Sequence, residues 1–293
     1  MKVSPIVLAF VTTIAAPAVI VSSPAAVAGP ATLAPYPPTS PMVFVTANIG
    51  RDYTGGASKI SSTLERIRGN VNNASNGRPR FIGWQEIDED DPAEEMQILK
   101  DVYPSDTGWE RSLNRTLPDG TTQPLKVPAV AHDAQKTEHR VAFGSSGLES
   151  ASPTRWITIT RFDNQNISFI NTHFIAGAFG DCDNRCAERL DRWKAHWESL
   201  KDQVAREHNA GYNVVVTGDF NRRKVAGGWT PASVHPDAHQ VKDGGVDHII
   251  AIPRQGWQVD KIRYADGSFK QGEWWIGIDS HEAHWVTLQF QQR

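Results

Sequence analysis

Cysteine is nearly missing from this chain: 293 residues carry only Cys182 and Cys186. A cysteine-based metal centre would need further ligands near such a pair, and none is obvious in the surrounding sequence. Excess charge of one sign is missing too. The formal net charge of −3 excludes a strongly basic surface that grips nucleic acid by charge alone. After the N-terminal segment no apolar run is long enough to span a bilayer, so no stable membrane insertion is expected. There is no internal repeat, and no linker after residue 42. A chain of this length then reads as one large domain, expected to be a monomer. Tryptophan, by contrast, is over-used, with ten copies.

What is present begins with an export signal. Lys2 precedes an apolar stretch from Val7 to Val21, and Ala26-Val27-Ala28 has the small-x-small pattern of a cleavage site. The stretch is interrupted by Pro17 and is short for an anchor, so cleavage near Ala28 and secretion are expected. Residues 29–42 are rich in Pro and Ala and read as a leader to a domain spanning 43–293. Export exposes Cys182 and Cys186 to oxidation, which favours a short-loop disulfide; two free thiols one helical turn apart are the alternative.

Hydrophobic periodicity marks the elements. Val43 to Ile49 and Arg80 to Glu86 read as strands. Between them Ile60, Leu64, Ile67 and Val71 form one helical stripe over 58–71. Asp91-Pro92-Ala93-Glu94 is a helix start, and that helix should run to Tyr103. Residues 125–170 contain several strands, among them 155–160 and 167–172, separated by the turn cluster 163–166. A long helix over 184–208 carries Leu190, Trp193, Trp197, Leu200 and Val204 at steps of three and four. Further strands are expected at 213–217, 246–252 and 285–290. Two well-marked helices among many strands imply an α/β arrangement of sheet layers covered by helices.

The strand ends share a polar character. Asn48 closes the first strand, Glu86 the second, and Asn171-Thr172-His173 a later one. Gly218-Asp219-Phe220-Asn221 follows the Val-rich strand, Asp247 and His248 open another, and Ser280-His281 precedes the last. Carboxylate and amide oxygens hold a hard cation such as Mg²⁺, and such an ion polarises phosphoryl oxygens. A histidine paired with an aspartate can activate water. The combination suits phosphoester hydrolysis.

In this order the segments TANI (46–49), WQEI (84–87), NTHF (171–174) and GDFN (218–221) resemble the endonuclease/exonuclease/phosphatase superfamily, DNase I-like enzymes, over most of the chain from Asn48 to Phe290. The resemblance implies a four-layer sandwich of two packed β-sheets flanked by helices. It implies Glu86 as principal metal ligand with Asn48 beside it, and Mg²⁺ as cofactor, with Mn²⁺ or Ca²⁺ as alternatives. Asp219 would orient the attacking water or help deprotonate it, and Asn221 and His173 would hold the phosphate. His281 would be the general base or a transition-state hydrogen-bond donor, positioned by Asp247. His248, next to Asp247 in a strand, should face the opposite side and is assigned no catalysis. The family usually ends in Ser-Asp-His; here Asp279-Ser280-His281 places Ser280 where a second metal-site aspartate is expected.

Other patterns carry less. His281-Glu282-Ala283-His284 lacks the spacing of a zinc helix motif, and as a strand it would turn its two histidines to opposite faces. The acidic run from Asp88 to Glu95 lacks calcium-loop spacing and reads as a helix start. Trp274 and Trp275 are expected in core or groove packing, and Trp193 and Trp197 on a buried stripe. The leading function is a secreted, metal-dependent phosphodiesterase acting on nucleic acid. The six acids of 88–95 would repel a polyanion, whereas Arg222, Arg223 and Lys224 would attract one. A phospholipid or small-phosphoester hydrolase is the alternative, and a catalytically impaired binding module is a third reading, supported only by Ser280.

Overall fold

Alternation along the apolar strands decides the architecture. The computed structural model describes residues 40–50, 56–87, 92–145, 155–180, 185–222, 230–276 and 281–293. In chain order these form β1 (Met42–Asn48), α1 (Gly56–Ser75), β2 (Arg80–Gln85), α2 (Pro92–Val102), β3 (Trp109–Thr116), β4 (Thr122–His132) and β5 (Glu138–Ser145). Then follow β6 (Arg155–Phe162), β7 (Ile167–His173), α3 (Cys186–Asn209), β8 (Asn213–Asp219), the short α4 (Pro231–Val234), β9 (His239–Gly244) and β10 (Asp247–Ile252). The chain ends with β11 (Trp257–Lys261), β12 (Gln271–Trp275) and β13 (Glu282–Gln292).

The strands build two sheets. One has the order β11-β13-β1-β2-β4-β3, with β12 also paired to the long β13; the other runs β5-β6-β7-β8-β10-β9. Within each, one central pair is parallel: β1 with β2 and β7 with β8. A parallel pair needs a crossover, and α1 and α3 lie in those connections.

Three apolar clusters separate four layers. On β1, Val43, Val45 and Ala47 pack with Ile60, Leu64, Ile67 and Val71 of α1 and with Met96 and Leu99 of α2. The alternate residues Met42 and Phe44 face the second sheet, against Phe81, Phe169, Val215 and Ile249. There the Phe44 and Phe81 rings stack with centroids 4.9 Å apart. On the far side of the second sheet, Ile157, Ile170, Val214 and Val216 meet Trp193, Trp197, Leu200 and Val204 of α3. Burying each such aliphatic side chain is worth about 1.5–3 kcal/mol, so the helix stripes suffice to pin the outer layers. The layer order is helix, sheet, sheet, helix, as the family resemblance implies.

Boundaries moved. The α1 stripe continues to Ser75, and β13 begins at Glu282 and runs to Gln292. β1 itself begins at Met42, which is buried. Residues 1–39, where the export signal and most of the leader are expected, lie outside the described residues, as do Cys182, Asp279 and Ser280. Among the described residues, no helix is long and apolar enough to cross a membrane.

Candidate active site

The face between the two sheets changes character along its length. Phe44, Phe81, Phe169, Val215 and Ile249 fill it with hydrocarbon. Two residues further on, toward one end, the same strand faces carry Thr46, Gly83, Asn171, Thr217 and Asp247. Two more steps bring Asn48, Gln85, His173 and Asp219. Since side chains alternate with period two, these polar ends point into the continuation of the inter-sheet layer.

A buried amide network closes the apolar part. Asn171 Nδ2 donates to the carbonyls of Trp84 (2.8 Å) and Pro128 (2.9 Å), and its Oδ1 accepts from Gln85 Nε2 at 2.6 Å. Thr217 Oγ1 donates to the same Oδ1 at 3.2 Å. Gly83 makes room for the network: a Cβ there would lie 2.3 Å from Thr217 Oγ1 and 2.4 Å from Asn171 Oδ1.

Beyond it the expected site residues meet. Asn48 is fully buried and donates through Nδ2 to Asp219 Oδ2 (2.9 Å) and Glu86 Oε1 (3.3 Å). Plain alternation would send Glu86 toward the helices, because Gln85 already faces inward. Instead Glu86 sits at φ 58°, a left-handed conformation uncommon for a residue with a Cβ. That break returns its carboxylate to the site, 3.5 Å from His173 Nε2. Asn221 also adopts a left-handed backbone, φ 48°. Its amide N–H donates to Asp219 Oδ1 at 2.6 Å, and its Nδ2 donates to the Phe174 carbonyl at 2.9 Å. Trp193 of α3 pins this turn by donating from Nε1 to the Phe220 carbonyl at 2.8 Å.

Asp247 and His281 complete the set. Asp247 lies directly opposite Asp219 in the β8–β10 register. Its Oδ2 bonds His281 Nδ1 at 3.0 Å, while its buried Oδ1 has no hydrogen-bond partner among the described residues. Burial, and then the negative charge of Asp247, push the Asp219 carboxyl up to about 8. Burial alone would lower His281; the hydrogen bond and charge of Asp247, with Asp219 and Glu86 behind it, raise it above the ordinary histidine value. Asp219, Asp247 and His281 offer ligand atoms within 4.8 Å of one another, and so do Glu86, His173 and Asp219. Three carboxylates thus converge on one end of the layer, two of them buried. That excess negative charge, together with the partnerless Asp247 Oδ1, fits a bound divalent cation.

Arg155 was not singled out from the sequence. It opens β6, is 6% exposed, and places Nη1 3.2 Å from His173 Nδ1. A guanidinium only donates, so Nδ1 accepts and the His173 proton sits on Nε2, facing Glu86 Oε1 at 3.5 Å; Asn221 Nδ2, 3.3 Å from Nε2, is then a second donor beside it and not its hydrogen-bond partner. An arginine at the start of a strand two steps beyond the Ile157–Thr172 pair was the available signal. His248 faces away, as expected: its Nε2 bonds the Arg222 carbonyl (2.9 Å) and its Nδ1 bonds Gln240 (2.8 Å). His281 and His284 do not converge, in keeping with their expected opposite faces: His281 meets Asp247, and His284 lies 3.6 Å from Glu273.

Two surface expectations change. Trp274 stacks on Trp285 with centroids 5.3 Å apart, but Trp275 is 60% exposed and carries Arg66 over its ring at 5.4 Å, so only Trp274 packs as anticipated. Arg222 lies 3.7 Å over the Phe179 ring rather than extending as a free cation, and Phe179 is itself 42% exposed. Arg223 and Lys224 lie outside the described residues.

No protein-family model matches the chain, and no curated protein does. Solved structures do. An endonuclease/exonuclease/phosphatase family protein of Bacteroides thetaiotaomicron is 11% identical, with 87% of this chain and 100% of that one covered at a TM-score of 0.55. Its counterpart from Bacteroides vulgatus is 13% identical, covering 86% and 100%, also at 0.55. A mannosyl-6-phosphatase of Bacteroides thetaiotaomicron is 10% identical, covering 85% and 99%, at 0.52. With the two-sheet sandwich and its connectivity, these likenesses show that this chain has the endonuclease/exonuclease/phosphatase fold.

Proposed function

We propose that this chain is a secreted, metal-dependent phosphoesterase, and specifically a phosphodiesterase that hydrolyses nucleic acid. The observation that carries the reading is the convergence of Asn48, Glu86, His173, Asp219, Asn221, Asp247 and His281 at one end of the inter-sheet layer. Glu86 and Asn48 would hold Mg²⁺, with Mn²⁺ or Ca²⁺ as substitutes, and Asp219 lies within reach of the same position. When bound, such an ion supplies Lewis-acid polarisation of the phosphoryl group and offsets the carboxylate charge.

The residues divide the remaining work. Asp247 holds the Nδ1 proton of His281, which leaves Nε2 to take a proton from the attacking water. Asp219 orients that water. As water adds to phosphorus the ester P–O bond breaks, and the leaving oxygen takes up a proton. Asn221 Nδ2 and His173 Nε2–H, 3.3 Å apart, offer donors for the phosphoryl oxygens on which charge develops. Arg155 keeps His173 in the donating tautomer.

Nucleic acid is favoured over a lipid by the surface next to the site. Phe179, on the loop leaving β7, and Trp275, in register with Glu282 beside His281, are exposed rings each paired with an arginine. Exposed aromatics with arginines suit stacked bases and a phosphate backbone. The export signal at 1–28 and a Cys182–Cys186 disulfide belong to the same proposal; no free cysteine occurs among the described residues. A substrate panel tests it: plasmid DNA, single-stranded DNA, RNA, sphingomyelin, a chromogenic phosphodiester and mannose 6-phosphate, each with Mg²⁺, Mn²⁺, Ca²⁺ and EDTA. Metal-dependent cleavage of a nucleic acid, abolished in His281→Ala, is expected. Turnover of the sugar phosphate alone would replace the reading with a phosphomonoesterase.

A further inference from the structure

We propose that Glu273, Glu282 and His284 bind a divalent transition-metal ion, zinc best of all, at a site that lies beside the catalytic cluster and shares no residue with it. The hairpin geometry places the donors. β12 and β13 are antiparallel, with Glu273 directly opposite His284 and Trp275 opposite Glu282. Glu282 and His284 are two apart on β13 and share a face; the cross-strand residue closes the triangle. One ligand atom from each of the three lies within 4.8 Å of the others. His281, an odd number of steps away, turns instead to Asp247.

His284 is the second, independent sign. The residue is 4% exposed, yet among the described residues its buried Nδ1 has no hydrogen-bond partner, 3.6 Å from Glu273 Oε2. Buried imidazole nitrogens seldom go unsatisfied, and one aimed at a pair of carboxylates has the position of a ligand. The ring is held by a wall without give. A Cβ on Gly244 would come within 2.3 Å of it, so the neighbouring strand is shaped to admit that imidazole. Such fixed placement on strands is what a metal site needs.

Charge completes the case. Burial, then the negative charge and hydrogen bond of Glu273, hold the Glu282 carboxyl above its ordinary range, so the two acids crowd each other. Lys242 Nζ lies 3.6 Å from Glu273 Oε2 and partly offsets that crowding. A doubly charged cation would do so fully. One imidazole with two carboxylates suits zinc or manganese; calcium and magnesium prefer oxygen alone. Binding would tie β12 to β13 beside the exposed Trp275 and stabilise the hairpin by mass action.

The test uses the full chain, stripped of metal, with Glu86→Gln as background to weaken the catalytic site. Co²⁺ should give the intense visible bands of a four- or five-coordinate site containing nitrogen, and Zn²⁺ should displace it and raise the thermal midpoint. Glu273→Gln and Glu282→Gln, both isosteric and at least partly exposed, should each weaken zinc binding on the order of tenfold or more. His284→Ala should abolish it. Lys242→Met removes a competing cation and should tighten it. The proposal is overturned if the Glu86→Gln chain takes up no zinc at millimolar concentration. It is equally overturned if Glu273→Gln and Glu282→Gln bind as tightly as that background, or if Lys242→Met fails to tighten binding.

Discussion

Replacing Asp247 by asparagine isolates the link between the buried carboxylate and His281. The substitution keeps the shape and removes the charge. The Asp247 Oδ2 to His281 Nδ1 bond, 3.0 Å long, is charge-assisted, and such bonds contribute about 1.5–3 kcal/mol, or roughly 10- to 150-fold in rate if fully expressed in the transition state. An amide can also turn its NH₂ toward Nδ1. That would move the imidazole proton to Nε2 and remove the base. Turnover of a chromogenic phosphodiester at saturating Mg²⁺ should fall by at least this range. His281→Ala should cost on the order of 10²–10⁴-fold, and the double variant should be little worse, since the two act as a unit. Stability should move the other way. Asp219, across the strand register, has its folded carboxyl pushed up to about 8 by burial and by Asp247. A raised carboxyl stabilises the fold in acid, and that contribution is lost as pH rises toward the folded value. The metal-free protein should therefore lose thermal stability between pH 5 and pH 8, and Asp247→Asn should reduce that loss. A variant slow in turnover yet no less stable at pH 8 cannot be explained by misfolding. Wild-type turnover in Asp247→Asn, or a collapse of its thermal midpoint at pH 8, would refute the reasoning.

Glu86→Gln should abolish turnover at limiting Mg²⁺ and weaken Mg²⁺ binding in calorimetry, because a neutral amide replaces a hard charged ligand. Arg155→Met should lower kcat and let the His173 proton redistribute between its ring nitrogens, visible in the imidazole ¹⁵N shifts; Arg155→Lys should restore part of both. Gly83→Ala should cost about 1–3 kcal/mol or more in denaturant unfolding, since the new methyl overlaps Thr217 and Asn171. Non-reducing mass spectrometry of the alkylated, exported protein should find no alkylation at Cys182 or Cys186.

Local signals in the sequence carried much of the fold. The α1 and α3 stripes are legible because period 3.6 is written in adjacent residues, and the strand ends are legible because apolar runs stop at Asn48, His173 and Asp219. Strands β3, β9, β11 and β12 were not set apart in advance; they are half-buried and mixed in character, and their pairing partners rather than their own pattern define them. Non-local contacts were hidden as well. Gln85 and Asn171 are 86 residues apart, so their hydrogen bond leaves no spacing to read. Arg155 resembles any strand-opening arginine until β6 is laid beside β7. Glu86 shows the limit most plainly. Period-two alternation puts it on the wrong face, and only a left-handed backbone turns it into the site.

The same layer that stabilises the fold also sets the chemistry. Phe44, Phe81 and Phe169 hold the sheets together by excluding water, and that exclusion continues to the strand ends where Asn48, Asp219 and Asp247 are buried. A carboxylate there loses hydration it would keep on a surface, and two facing each other repel in a poor dielectric. The protein supplies only partial relief: the Asn48 amide and the Asn221 backbone to Asp219, and the His281 imidazole to Asp247. The Arg155 guanidinium meets His173. The unrelieved charge makes the end of the layer receptive to a cation, and under the proposed function a cation there would draw in an anionic phosphoester that the site is otherwise too acidic to hold. On that reading metal binding and substrate binding would be coupled through Asp219 and Asp247 rather than through separate features of the surface.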